Sequence, residues 1–197
     1  MGNPAKLAFL LAILTMTGCA GSSKLMQTVP PDRANYMPDA THALVVFLRP
    51  SGLGFVVQSS VFDATTNENK LIGVVSAKKK VAFLTPPGEK LFMVIGESAD
   101  FAKAELDAGK TYYVLVTPRM GVWKARFSLE PVTRERTDST EFAEWLSECV
   151  YYENTPDSFK WAEENAPSIE DKRKEYYKDW MEKPESERPL VRREYGR

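Results

Sequence analysis

The chain contains a short apolar run, Ala43-Leu44-Val45-Val46-Phe47-Leu48, that ends at the turn signal Arg49-Pro50-Ser51-Gly52. Two more runs, Leu91–Ile95 and Tyr112–Val116, share its β-branched and aromatic character. Successive side chains of a strand point to opposite faces of its sheet, so a run that is apolar at every position has two apolar faces. These three segments therefore predict strands that are covered on both sides.

Similar runs recur about every ten residues between Ala43 and Val132, and turn-forming residues separate them. Pro86-Pro87-Gly88 and Asp107-Ala108-Gly109-Lys110 are two such turns, in which proline fixes φ and glycine permits a positive φ. The predicted strands are residues 43–48, 55–62, 71–75, 81–84, 91–95, 102–106, 111–117 and 122–130. This pattern predicts a β-sandwich of about eight antiparallel strands, in a domain over residues 41–133.

Residues 134–197 carry helix signals instead. Asp138 followed by Glu141 resembles a capping box, Thr155-Pro156 opens a second helix, and Ser168 caps a third. Apolar side chains recur on one face of each segment, so these helices have a surface to bury. They predict a helical extension that packs on the sandwich, and a fold class that is mainly β with an α-helical C-terminal elaboration.

The first nineteen residues resemble a bacterial lipoprotein signal. Lys6 precedes the apolar run Leu7–Met16, and Thr17-Gly18-Cys19 then places a cysteine where a lipobox is acylated. The run is shorter than the roughly 20 residues that a transmembrane helix needs. The resemblance implies a signal peptide at residues 1–18 and attachment of diacylglycerol and a fatty acyl chain such as palmitate to Cys19.

The same resemblance implies a location. Ala20 stands where an aspartate commonly retains lipoproteins in the inner membrane, which favours the outer membrane and its periplasmic side. Glycine, serine and proline then predict a flexible tether over residues 19–40, with a reach of about 25 Å that lets the folded part stand clear of the headgroups. The membrane is thus an expected partner, through the N-terminal lipid.

Composition argues against several functions. Lys6 is the one charged residue among residues 1–18, so the mature chain keeps 25 basic and 27 acidic side chains, a net charge of −2. That balance gives no electrostatic case for binding nucleic acid. Cys149 is the only cysteine besides Cys19, so no intramolecular disulfide is expected.

No catalytic residue, metal site or cofactor is predicted. His42 is the only histidine, which removes the usual ligand of zinc, copper and haem. A pair of Cys149 with His42 is the one nucleophile arrangement on offer. Cys149 falls on the apolar face of its predicted helix, where a buried structural cysteine is the ordinary occupant.

Aromatic residues supply the candidate contacts for a partner or a glycan. The five candidates are Tyr112, Tyr113, Trp161, Tyr176 and Tyr177. Exposed aromatic rings can stack on sugars and anchor protein interfaces. The same residues lie on periodic faces shared with aliphatic side chains, so the alternative is that they fill the seam between sheet and helices.

The order of several segments along the chain resembles that of a known family. These segments are residues 43–50, Ile72-Gly73, Pro87-Gly88-Glu89, residues 109–114, Trp180, Lys183-Pro184 and Arg188-Pro189-Leu190. This order is similar to that of bacterial lipoproteins known mainly as a domain of unknown function, although Tyr195 departs from the acidic residue common near their end. The resemblance implies a lipid-anchored β-sandwich and transfers no catalytic residue.

The sequence therefore predicts a non-enzymatic outer-membrane lipoprotein, an interaction or scaffold module that presents its β-sandwich to another protein of the cell envelope. Two alternatives stay open. One is a module that binds carbohydrate or peptidoglycan, and the other is a hydrolase whose site the sequence does not reveal.

Overall fold

The computed structural model of the protein describes residues 25–54, 57–120 and 125–197. The fold is mainly β with its helices in the C-terminal third, as predicted. The strands are β1 Met26–Thr28, β2 Ala43–Arg49, β3 Ser60–Asp63, β4 Lys70–Val74, β5 Lys79–Thr85, β6 Gly88–Ile95, β7 Ala99–Leu106, β8 Thr111–Met120, β9 Ala125–Pro131, β10 Val150–Asn154 and β11 Leu190–Val191. The helices are α1 Arg134–Thr137, α2 Thr140–Glu148, α3 Pro156–Glu164 and α4 Ala166–Glu182, with 3-10 turns at Glu185–Glu187 and Arg193–Tyr195.

These strands form two mixed sheets. The first has the order β1-β10-β5-β2-β8-β9 and the second the order β11-β7-β6-β3-β4. The prediction of an antiparallel sandwich is wrong, because β2 runs parallel to β8, β10 to β5, and β11 to β7. Apolar periodicity tells which face of a strand is buried, but it carries no information on the direction of the neighbouring strand.

The eight predicted strands correspond to β2 to β9 with shifted ends. The second begins later than predicted, at Ser60, and the eighth is described from Ala125 onward. Residues 55, 56 and 122–124 of those predictions lie outside the described part of the chain. Strands β1, β10 and β11 were not predicted. Each has only two to five residues, too few for a periodic pattern to stand out.

The main core lies between the sheets, and β2 is buried on both faces as predicted. Phe47 of β2 points inward, where its ring meets Phe92 of β6 edge to face, with centroids 5.1 Å apart. Leu48 points outward and packs with Leu115 and Phe142, so that α2 covers part of this outer face.

Helix α4 covers the outer face of the second sheet. Its Trp180 is only 1% exposed and lies 5.9 Å from the ring of Phe101 on β7. Ile169, one residue from Ser168, is buried in the same cluster. The helix begins at Ala166 with Asn165 as its N-cap. Ser168 was predicted to be the cap, but it lies inside the first turn.

The C-terminal region is part of both sheets. Strand β10 lies between β1 and β5 in the first sheet, and β11 adds an edge to the second, where Val191 is buried in the main core. Residues 134–197 were predicted to pack on a finished sandwich, but they do more than that. They complete its two sheets.

Three consecutive lysines contact β10 and the end of α2. Lys78 pairs with Glu148 at 2.5 Å, and the ammonium of Lys79 lies 4.4 Å from the ring centroid of Tyr152. Lys80 donates to the carbonyl of Leu146 at 2.6 Å, and burial lowers the pKa of its ammonium. All three lysines make contacts within the protein at the junction of α2 and β10, and the pair of Lys78 with Glu148 lies at its surface.

The N-terminal residues also belong to the folded part. Leu25, Met26 and Val29 are buried, and β1 pairs with β10. Farther on, Tyr36 packs against Tyr151 at 5.0 Å. The predicted tether over residues 19–40 therefore includes residues of the fold, because 25–29 lie along the β10 edge and Tyr36 packs on β10.

We predict that Trp180→Ala lowers the free energy of unfolding by about 3–5 kcal/mol, because it empties a site in the seam between α4 and the second sheet. Met181→Ala is the matched control: Met181 is 43% exposed, and its loss should cost less than about 1 kcal/mol. Urea unfolding followed by circular dichroism measures both. A loss at Trp180 as small as that at Met181 would show that the helix is not part of the core.

Candidate functional site

The two adjacent tyrosines Tyr112 and Tyr113 face opposite sides of β8. Tyr112 is 0% exposed, and its hydroxyl accepts a hydrogen bond from the Asp107 amide at 2.9 Å. Tyr113 packs against Phe142 of α2, with ring centroids 4.9 Å apart. Tyr112 is thus enclosed in the main core, where it meets neither partner nor glycan, and Tyr113 is half-buried under a helix.

The other three candidates lie on the helical layer. Tyr177 stacks on Trp180 and meets Phe101 at 5.2 Å, and Trp161 is half-buried between the core clusters. Tyr176 also borders the helix seam, but it lines a surface groove. The structure does not bring the five aromatic residues to one face, and of the five only Tyr176 lines the surface groove described next.

This groove runs between the edges of the two sheets. Its first part has a volume of about 720 Å³ and lies between the end of β9 and the segment 185–195. Its second part, about 520 Å³, lies between β9, the start of β7 and the end of α4. Glu187 and Pro189 line both parts, so the two are continuous. We call them together the edge groove.

Buried aromatic side chains form the floor of the edge groove. Phe127 of β9 and Trp180 of α4 line its second part, and both are almost completely buried. Behind Phe127 lies the guanidinium of Arg49, 4.7 Å from the ring centroid. The floor is therefore part of the packed interior.

Arg49 is a buried cation that holds the chain beyond β2 in place. It is 0% exposed, and its guanidinium donates to the carbonyls of Leu53 and Gly54 at 2.7 Å and of Val57 at 3.0 Å. Burial lowers the pKa of Arg49, and backbone carbonyls compensate its charge instead of a carboxylate. Arg49 is the first residue of the predicted turn Arg49-Pro50-Ser51-Gly52. It holds the loop after β2 in place and packs against Phe127.

The charges around the edge groove balance. The first part is lined by three basic and three acidic side chains: Lys103, Arg188, Arg192, Glu130, Glu185 and Glu187. The second part is lined by Arg119, Arg126, Lys183, Asp100, Asp179 and Glu187. Such a surface offers donors and acceptors of both signs and has little net attraction for a polyanion.

Three arginines in the edge groove, Arg126, Arg188 and Arg192, have no carboxylate partner among the described residues. Arg188 rests on the ring of Trp180 at 5.5 Å and donates only to the sulfur of Met181, and its Nε has no acceptor. Arg126 lies directly opposite Arg119 across β8 and β9, an unfavourable like-charge pair. These arginines were not predicted, because the groove joins three segments far apart in the chain and no local pattern marks it.

Cys149 and His42, the one nucleophile arrangement that the composition allows, do not come together. Val150 pairs with Lys79, which pairs with Arg49 at the end of β2, whereas His42 precedes the start of β2. The length of β2 therefore separates the two side chains by about 20 Å. Thr41 and Asp39 both approach the same Nδ1 atom of His42, which is a local turn and not a proton relay.

Within the part of the chain that the structure describes, no group of three or more histidine, cysteine, aspartate or glutamate side chains could hold a metal ion. Across the same residues, no helix has both the length and the apolar character needed to cross a bilayer. Compared with protein-family models and with curated proteins, the chain matches none.

We predict that Cys149 reacts slowly with thiol reagents in the native protein. Burial raises the pKa of its thiol, so at pH 8 the thiolate fraction is below that of an exposed cysteine. In a Cys19→Ala variant, where Cys149 is the only thiol, modification should be at least about tenfold slower in buffer than in denaturing urea, because a reagent reaches the buried thiol only when the protein opens locally. Equal rates would show that Cys149 is accessible, and a faster rate in buffer than in urea would show an activated cysteine and revive a hydrolase that uses it.

Proposed function

We propose that this protein is a non-enzymatic lipoprotein of the outer membrane, held on the periplasmic side through Cys19, and that it binds another envelope protein in the edge groove. The observation that carries the proposal is the groove itself. It combines a buried aromatic floor with arginines that lack carboxylate partners among the described residues. Arginine and aromatic residues are the side chains that contribute most binding energy in protein interfaces.

The shape of the edge groove suits an extended segment of the partner. The groove follows β9 from Arg126 to Pro131, a length of about 17 Å in a strand. It lies between β9 and β11, which are the edges of their sheets. Extended peptides commonly bind beside sheet edges, where the backbone and alternate side chains are both read.

Charge selects the chemistry of the partner segment. A carboxylate of the partner could make the two-pronged contact with Arg188 that no described side chain makes. The acidic side chains Glu185 and Glu187 on the opposite rim favour basic residues in the same segment. A polypeptide supplies both signs and hydrogen-bonding groups. A glycan chain would depend on exposed stacking surfaces, and here the half-buried rings of Tyr176 and Tyr195 line different parts of the groove.

We predict that a photo-crosslinking amino acid at Ser186, on the rim of the edge groove, yields a discrete adduct with one envelope protein in intact cells. The same amino acid at Lys174, an exposed position of α4 outside the groove, should yield none. Arg188→Ala should lower the yield from position 186 by about fivefold to tenfold, the usual effect of losing an interface arginine.

Three outcomes would contradict the proposal. One is equal crosslinking at positions 186 and 174. Another is a yield at 186 that Arg188→Ala does not change while the protein remains folded. The third is an adduct that peptidoglycan hydrolases release, which would instead favour the glycan-binding alternative.

A further inference from the structure

The chain enters the folded part at a fixed point. The carbonyl of Leu25 accepts two hydrogen bonds of 3.2 Å, from the amide and from the hydroxyl of Thr155. Directly after it, Met26 pairs with Asn154. Leu25 is therefore held beside the start of α3.

Only five residues separate Cys19 from Leu25. Even a fully extended chain spans about 22 Å over these six steps. A domain of this size is about 40 Å across. If Cys19 is lipidated, the flank around Leu25 must face the bilayer, because the connection is too short to reach around the domain.

An exposed apolar side chain lies on this flank. Phe159 is one helical turn beyond Thr155 and is 54% exposed, and Lys160 beside it is largely exposed too. Ser158 is buried and bonded to Asn154, which turns the neighbouring Phe159 outward. A phenylalanine next to a lysine is a suitable pair for an interface, since the ring can enter the acyl boundary while the ammonium stays among the headgroups.

We propose that the surface around Leu25, Phe159 and Lys160 docks on the phospholipid bilayer that holds the lipid anchor. This inference rests on the proposed lipidation of Cys19. It commits the domain to one orientation, with the start of α3 on the membrane.

This orientation leaves the edge groove pointing away from the bilayer. In the first sheet, β1 and β9 are the two outermost strands, about 24 Å apart at the usual strand spacing. In the second sheet, β4 contacts α3 on the membrane flank, and β11 lies at the opposite edge. A partner in the periplasm would then reach the groove without meeting the membrane.

The test uses the full lipidated protein in vesicles of phosphatidylethanolamine and phosphatidylglycerol. A fluorophore is attached at Lys160→Cys or, as control, at Ser186→Cys on the edge groove, and quenching by lipids spin-labelled near the headgroup is measured. We expect strong quenching at position 160 and little at 186. Phe159→Ser should weaken binding of the flank about fivefold, as expected for an exposed phenylalanine that becomes buried, and Met181→Ser should not.

Intact mass separates the two proposals. If the wild type has no added acyl mass, so that it differs from Cys19→Ala only by the substitution, the anchor itself is overturned. A lipidated protein quenched equally at positions 160 and 186, or unaffected by Phe159→Ser, would overturn the docked orientation and leave the anchor standing. Insertion of ten Gly and Ser residues between Ser23 and Lys24 should reduce quenching at 160 if the short connection confines the flank.

Discussion

Burial of β2 on both faces is the constraint on which the other parts of the fold depend. A strand without a polar face needs one layer on each side, and neither layer is complete in residues 43–131 alone. The second sheet covers the inward side, while α2 covers the outward side at Leu48, and Tyr36 packs on Tyr151 of the same first sheet. Both ends of the described chain are therefore drawn onto the first sheet, and β10 joins them there as a strand between β1 and β5.

The same arrangement gives the domain two different flanks. Strands β1 and β4, with α3, lie where the chain arrives from Cys19, whereas β9 and β11 border the edge groove. Membrane attachment and partner binding would thus occupy opposite edges of the sheets. The buried cation Arg49 links the interior to the groove, because its guanidinium supports Phe127 on the groove floor and fixes the loop after β2.

Local sequence patterns were sufficient for some parts of this structure and insufficient for others. The apolar runs and turns located β2 to β9, and Thr155-Pro156 marked the start of α3, because these features depend on neighbouring residues. Parallel pairing, the short strands β1, β10 and β11, and the groove depend on contacts between distant segments, which no window of sequence contains. Tyr112 and Tyr113 show the same limit: alternation placed them on opposite faces, but only the covering layers decide that one is enclosed and the other lies beneath Phe142.

Hydrogen–deuterium exchange on the full chain tests most directly whether the C-terminal region is an integral part of the two sheets. The informative amides are those of β10, which lies between two strands, and of Lys103, which donates to the carbonyl of Pro189. If the region completes the fold, β10 amides open with the same free energy as those of β2 and β8, in one cooperative unit. Fast exchange throughout residues 134–197, with residues 43–131 still protected, would contradict this architecture and leave a separate sandwich with a loosely attached extension.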